Sequence, residues 1–150
     1  MRTVRPLTET RFSEGDPRFS PDGHWLAYVS NQSGRPEVYV QPFPGLGEKW
    51  RISTDGGNAP LWEPNGRELF YRNGDKLMAV SIGTEPRFVA GPPRLLFEGS
   101  YVAETDVDYD VAPDGRRFVM IERGASQAPV RQIALVQNWF TELQQRVPTR

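Results

Sequence analysis

The chain has 150 residues, 37% of them hydrophobic and 11% aromatic, enough apolar material for one domain with a packed core. Eighteen basic against nineteen acidic residues leave a net charge of −1, so no bulk field draws the chain to nucleic acid or to an anionic membrane. The lack of cysteine excludes disulfides, a thiolate nucleophile and thiolate zinc, the apolar runs are too short to span a bilayer, and residues 2–6 (RTVRP) lack the apolar core of a secretory signal.

In chain order, residues 3–8 (TVRPLT) read as a short outer strand. An inner strand ending in Phe19 then meets the turn Ser20-Pro21-Asp22-Gly23, and the next strand alternates Trp25, Ala27 and Val29. Proline fixes φ at the first corner, Asp or Asn bonds back to the backbone, and glycine supplies φ > 0, so the motif predicts a tight hairpin. The loop 31–37 (NQSGRPE) leads into a third strand at 37–43 (EVYVQPF), rich in β-branched and aromatic residues, and an outer strand follows at 49–54 (KWRIST). After the polar link 53–60 (STDGGNAP) the pattern recurs. Trp62 precedes the turn Glu63-Pro64-Asn65-Gly66, Leu69 and Tyr71 follow it, and further strands are predicted at 76–82 (KLMAVSI) and 93–99 (PRLLFEG). A third copy runs from Val111 through Ala112-Pro113-Asp114-Gly115 to Phe118 and Met120, then to a strand at 131–137 (RQIALVQ). In place of a fourth strand, 138–147 (NWFTELQQRV) reads as a helix, with Asn138 as N-cap and Trp139, Phe140, Leu143 and Val147 on one face.

The glycines of the three turns, Gly23, Gly66 and Gly115, stand 43 and 49 residues apart. That spacing is near the roughly 40–45 residues of a four-stranded propeller blade. The predicted fold is all-β, a β-propeller fragment of three four-stranded antiparallel blades with a short C-terminal helix. Its parts are an outer strand at 3–8, blade one at 16–54, blade two at 59–99, blade three at 106–137 and the helix at 138–147. Trp25, Trp50, Trp62 and Trp139 occupy repeat-equivalent or helix-face positions and are expected to form the blade-to-blade core.

The runs FSPDGHWLAYVSNQSGRPEVYVQPFPG, STDGG, ELFYRNGDKLMAVSI and YDVAPDGRRFVMI resemble TolB-like and WD40-like propeller repeats over nearly the whole chain. With the ending NWFTELQQRVP, the chain is more closely similar to the C-terminal propeller of bacterial eukaryotic-like serine/threonine kinases. The resemblance implies a non-catalytic sensor or scaffold that binds protein or peptide, extracytoplasmic if it belongs to a membrane kinase and otherwise cytoplasmic. Propellers usually close with roughly 4–8 blades. Three blades therefore lead to the expectation of a homodimer forming a six-bladed propeller, with residues 3–8 of each copy completing blade three of the other. A truncated reading frame is the competing explanation.

No catalytic residues or cofactor are predicted. A Ser-His-Asp relay needs an imidazole beside the nucleophile, and the only histidine, His24, follows a turn with no G-x-S-x-G elbow nearby. The kinase signatures are missing, and Gly45 and Gly47 in the loop PFPGLG are too few to cradle a phosphate. Glu104, Asp106, Asp108 and Asp110 lie at spacing two, on one face of a strand, and oxygen sets of this kind suit hard cations. Val111 and Arg117 stand where a calcium loop needs glycine and a bidentate acid, so Asp106, Asp108 and Asp110 are metal candidates only against a solvated strand end. Arg35, Glu37, Trp50 and Arg51 are the candidate partner-binding residues, since planar guanidinium pairing and indole stacking anchor peptides. An accessory propeller of a prolyl oligopeptidase-like or carbohydrate-active hydrolase is the alternative.

Overall fold

A computed structural model describes residues 10–45, 47–102 and 109–123, and the backbone of 131–136. It is an all-β propeller fragment built of antiparallel sheets. Blade one runs in the order β1 (Glu14–Phe19), β2 (Trp25–Ser30), β3 (Glu37–Pro42) and β4 (Trp50–Arg51). Blade two has β5 (Asn58–Trp62), β6 (Glu68–Asn73) and β7 (Lys76–Gly83), and β7 pairs with both the short β8 (Val89–Ala90) and β9 (Arg94–Glu98). In blade three, β10 (Tyr109–Val111), β11 (Phe118–Arg123) and β12 (Arg131–Val136) follow in order. Among the described residues no helix is long and apolar enough to cross a membrane.

The repeated turns have one geometry because they have one chemistry. Gly23, Gly66 and Gly115 adopt φ of 73°, 74° and 68°, which strains any side chain and costs glycine nothing. Their amides donate to Ser20 O, Glu63 O and Ala112 O at 2.9, 2.8 and 2.8 Å. The side chains of Asp22, Asn65 and Asp114 in turn accept from the amides of His24, Arg67 and Arg116 at 3.0, 2.8 and 3.0 Å. Each turn therefore satisfies its own backbone, as sequence-local polar side chains can.

Period-two alternation then divides each strand between two interfaces. Ala27, Val38 and Val40 of blade one meet Trp62, Leu69, Tyr71 and Val80 of blade two, with Trp25 and Trp50 packed on the edge of the cluster. On its other face blade two sends Phe70, Leu77 and Ala79 against Tyr109, Phe118 and Met120 of blade three. Phe70 and Phe118 meet edge to face at 5.0 Å, a geometry that suits the ring quadrupoles. Hydrogen bonds stitch the inner strands together. Asp16 Oδ2 accepts from Ala59 N at 3.2 Å, Arg18 O accepts from the Trp62 indole at 3.1 Å, and Ala59 O accepts from Tyr109 OH at 2.8 Å. Asp16 and Ala59, each just before a proline, hold positive φ of 52° and 48° where the strand register shifts.

Several boundaries differ from the sequence reading. The outer strand expected at 49–54 is reduced to Trp50–Arg51, because the Ser53 side chain turns inward to bond Glu37 and the backbone carbonyl of exposed Thr54 accepts from Arg35. The inner strand of blade one begins earlier than expected, at Glu14. The short β8, paired with Ile82 and Gly83, has no strand pattern in the sequence and lengthens β7 beyond the predicted end at 82. The expected strand at 3–8 and helix at 138–147, with Trp139, lie outside the described residues.

Candidate functional site

Strand order sends the β1–β2, β5–β6 and β10–β11 turns to one end of the blades and the β2–β3 and β6–β7 turns to the other. The far end is organised around Glu37, which is 1% exposed. Glu37 accepts from Arg35 Nε at 2.8 Å, from Gly56 N at 3.1 Å and from the Ser53 hydroxyl. Arg35 also donates to Asp55 Oδ1 at 2.9 Å and to Thr54 O at 2.8 Å, while Ser53 Oγ accepts from Val38 N at 2.8 Å. Burial pushes the Glu37 carboxyl up, but the bonds from Ser53, Arg35 and Gly56 outweigh it and hold the group below its ordinary value. Nearby, burial and then the charges of Glu37 and Asp55 push the Tyr71 phenol up to about 12. This network locks the corner between β3 and the chain leading to β5.

At the turn end, blades one and two leave a cleft of about 470 Å³. Trp25, Trp62 and Ile82 supply its apolar walls, and Asp22, Arg67 and Glu85 its polar ones. Trp62 is nearly buried and its indole N–H is already bound to Arg18 O, so only ring surface faces the cleft. Asp22 is held below its ordinary pKa, mainly by the Ser20 hydroxyl and then by the His24 amide. The residue just after each turn glycine, His24, Arg67 and Arg116, projects into solvent. On the next turn Glu63 lies against Gly115, where burial and then the charge of Glu68 push its carboxyl up.

Ser20, Asp22 and His24 share one turn, but not as a nucleophile relay. The Ser20 hydroxyl bonds Asp22 and accepts from Trp25 N at 3.0 Å, while the imidazole Nδ1 stands 3.5 Å from Asp22 Oδ2. The serine thus caps the turn, and its proton is directed at a carboxylate held ionised. Of the partner-binding candidates, Arg35 and Glu37 are brought together in the corner network. Trp50 packs between Trp25 and Phe88, with ring centroids at 5.7 and 4.6 Å, and Arg51 is exposed on the other face of β4. Among the metal candidates, Asp110 is exposed and accepts from Val111 N at 2.8 Å. Glu104, Asp106 and Asp108 lie outside the described residues, and no group of three ligating side chains occurs among those described. The sequence reading singled out neither the cleft nor Arg67. Their signal was the repeat itself, since Trp25, Trp62 and Arg67 flank its turns.

No family model matches the chain. A segment is 35% identical over 82 residues to the uncharacterized peptidase YuxL of Bacillus subtilis (strain 168), covering 52% of this chain and 11% of that protein. Another is 40% identical over 65 residues to the Tol-Pal system protein TolB of Ruthia magnifica subsp. Calyptogena magnifica, covering 40% of this chain and 15% of that one. Among solved structures, an oligogalacturonate lyase from Vibrio parahaemolyticus superposes with a TM-score of 0.55 at 16% identity, over 77% of this chain and 31% of that one. An oligogalacturonate lyase in complex with manganese gives a TM-score of 0.60 at 17% identity, with the same coverages of 77% and 31%. The chain spans less than a third of each of these proteins. The structural likenesses show the β-propeller fold, and the likeness to TolB is one of a sequence segment.

Proposed function

We propose that this chain is a non-catalytic propeller module that binds an acidic peptide segment of a protein at its turn end, as a sensor or scaffold portion of a bacterial signalling protein. The observation that carries the reading is the cleft between Trp25 and Trp62, with exposed Arg67 on its rim and His24 and Arg116 at the equivalent positions of the neighbouring turns. Asp22 and Asp114 stand at the same end, but each is engaged with the backbone of its own turn. Indole surface takes an apolar side chain, and a guanidinium takes a carboxylate beside it in a two-point fit.

The test is a selection of displayed peptides on the immobilised chain, followed by calorimetry with the enriched peptides. Acidic peptides with an apolar residue should emerge, and Arg67→Ala should weaken their binding at least tenfold, while Lys76→Ala at the other end leaves it unchanged. Enrichment of no peptide, or binding indifferent to Arg67→Ala, refutes the reading. The 35% identity to a peptidase favours a second one, an accessory propeller whose hydrolase domain lies elsewhere in a longer protein. Sequencing the surrounding gene distinguishes them, through a fused hydrolase or a fused kinase.

A further inference from the structure

We propose that the segment bound in the turn-end cleft is ampholytic: beside its apolar residue and its carboxylate it carries a lysine or arginine, received by Asp22 and Glu85. This ligand deepens the peptide reading of the same cleft and rests on it. The charged side chains lining the cleft are Asp22, Arg67 and Glu85, two carboxylates against one guanidinium. A segment bearing only acidic groups could satisfy Arg67, but it would lie against two charges of its own sign. A cation in the same segment turns that repulsion into attraction, and the pattern of charge then discriminates between partners that share the apolar residue.

Both carboxylates have acceptor capacity to spare. Asp22 Oδ1 takes the bonds of its own turn, accepting from the Ser20 hydroxyl and from His24 N at 3.0 Å. Oδ2 has the His24 imidazole at 3.5 Å, longer than a good hydrogen bond, and the side chain is 51% exposed. An ionised carboxylate offers about four lone-pair sites, so Oδ2 can accept from an incoming cation while Oδ1 holds the turn. Glu85 follows β7 and is exposed. Arg67 O accepts from Ile82 N at 2.7 Å, which sets the end of β7 beside the β5–β6 turn and brings Glu85 to the rim that Arg67 occupies. Among the described residues neither Arg67 nor Glu85 forms an ion pair. Between these charges lie Trp25, Trp62 and Ile82. The methylene stem of a lysine or arginine packs on such apolar surface while its head reaches a carboxylate, and an indole face attracts the same head.

The test uses two libraries of displayed peptides, one offering all residue types and one from which lysine and arginine are left out, each selected on the full chain. Peptides enriched from the first are measured by calorimetry beside counterparts that carry glutamine in place of the basic residue. The parent peptides should bind at least about threefold more tightly than these counterparts, as an exposed ion pair allows. That advantage should vanish in the double variant Asp22→Asn, Glu85→Gln, which should bind the glutamine counterparts at least as well as the wild type does. Asp22→Asn leaves the turn intact, because in blade two Asn65 accepts from Arg67 N at 2.8 Å in the same way. Equal binding of parent and counterpart, or an advantage that survives the double variant, overturns the proposal. If Arg67→Ala still weakens both peptides, the acidic-peptide reading stands without it, whereas enrichment of no peptide from either library overturns both.

Discussion

Trp62 and Phe19 fill the same position of the repeat, so truncating each to alanine isolates what an adjoining blade contributes. Trp62 is 5% exposed and its indole N–H donates to Arg18 O at 3.1 Å. Its removal takes away buried ring and leaves a cavity, together worth about 3–5 kcal/mol for a large aromatic. The lost hydrogen bond, about 1 kcal/mol, lies within that figure. Phe19 is 54% exposed, so roughly half of the ~1.5–3 kcal/mol of full burial is at stake, about 1 kcal/mol. The two variants should therefore differ by at least about 2 kcal/mol, which at a urea slope of ~1–3 kcal/mol/M separates their midpoints by roughly 1 M. Unfolding is followed by far-ultraviolet circular dichroism, since one variant loses a fluorophore. Coincident midpoints would refute the equivalence of the two positions and the serial blade packing built on it.

Three further outcomes follow from the corner network and the turns. Glu37 has its pKa lowered on folding, so the stability it supplies is present above its unfolded pKa of about 4.3 and lost as pH falls through the lower folded value. Between about pH 5 and pH 3 the wild-type urea midpoint should drop further than that of Glu37→Gln, whose amide does not titrate. Ser53→Ala removes the partner of both Val38 N and the Glu37 carboxylate, and should cost about 1–3 kcal/mol in the same assay. Gly66→Ala and Gly115→Ala both strain a positive φ, worth roughly 1–2 kcal/mol. At Gly115 the new Cβ would meet Glu63 Oε1 at 2.7 Å, but that is the end of a flexible side chain that swings aside, whereas at Gly66 the nearest atom is Pro21 Cδ at 3.6 Å, so the two variants should cost about the same. Thermal melts check this, and a much larger loss for Gly115→Ala would show that Glu63 is held in place.

The blades were legible because their signals are local. A proline, an Asp or Asn and a glycine fix each turn from within, and alternation on either side assigns Ala27, Leu69 and Phe118 to buried faces without knowledge of the neighbour. The extent of an outer strand was not legible, since it depends on partners far along the chain. KWRIST has the composition of a strand over its whole length, but Glu37 and Arg35 pull Ser53 and Thr54 out of the ladder from 16 and 19 residues away. β8 exists only because β7 offers it an edge. The surroundings of a candidate residue were likewise not legible. Arg35 and Glu37 have the composition of an ion pair and of a recognition pair alike, and only the fold shows that the carboxylate also faces Ser53 and the Gly56 amide.

That distinction bears on where recognition can arise in such a repeat. At the far end the polar side chains are engaged in holding the corner, and a change at Glu37 or Ser53 breaks the chain's own hydrogen bonds. At the turn end the positions flanking each Pro-Asp/Asn-Gly core are free to differ. The residue before the proline is Ser20, Glu63 or Ala112, and the one after the glycine is His24, Arg67 or Arg116. The turn requires only the latter's amide, which Asp22, Asn65 or Asp114 accepts, so the side chain is left to solvent in all three blades. A repeat whose backbone is satisfied by conserved chemistry and whose side chains vary between copies can change its ligand without changing its fold.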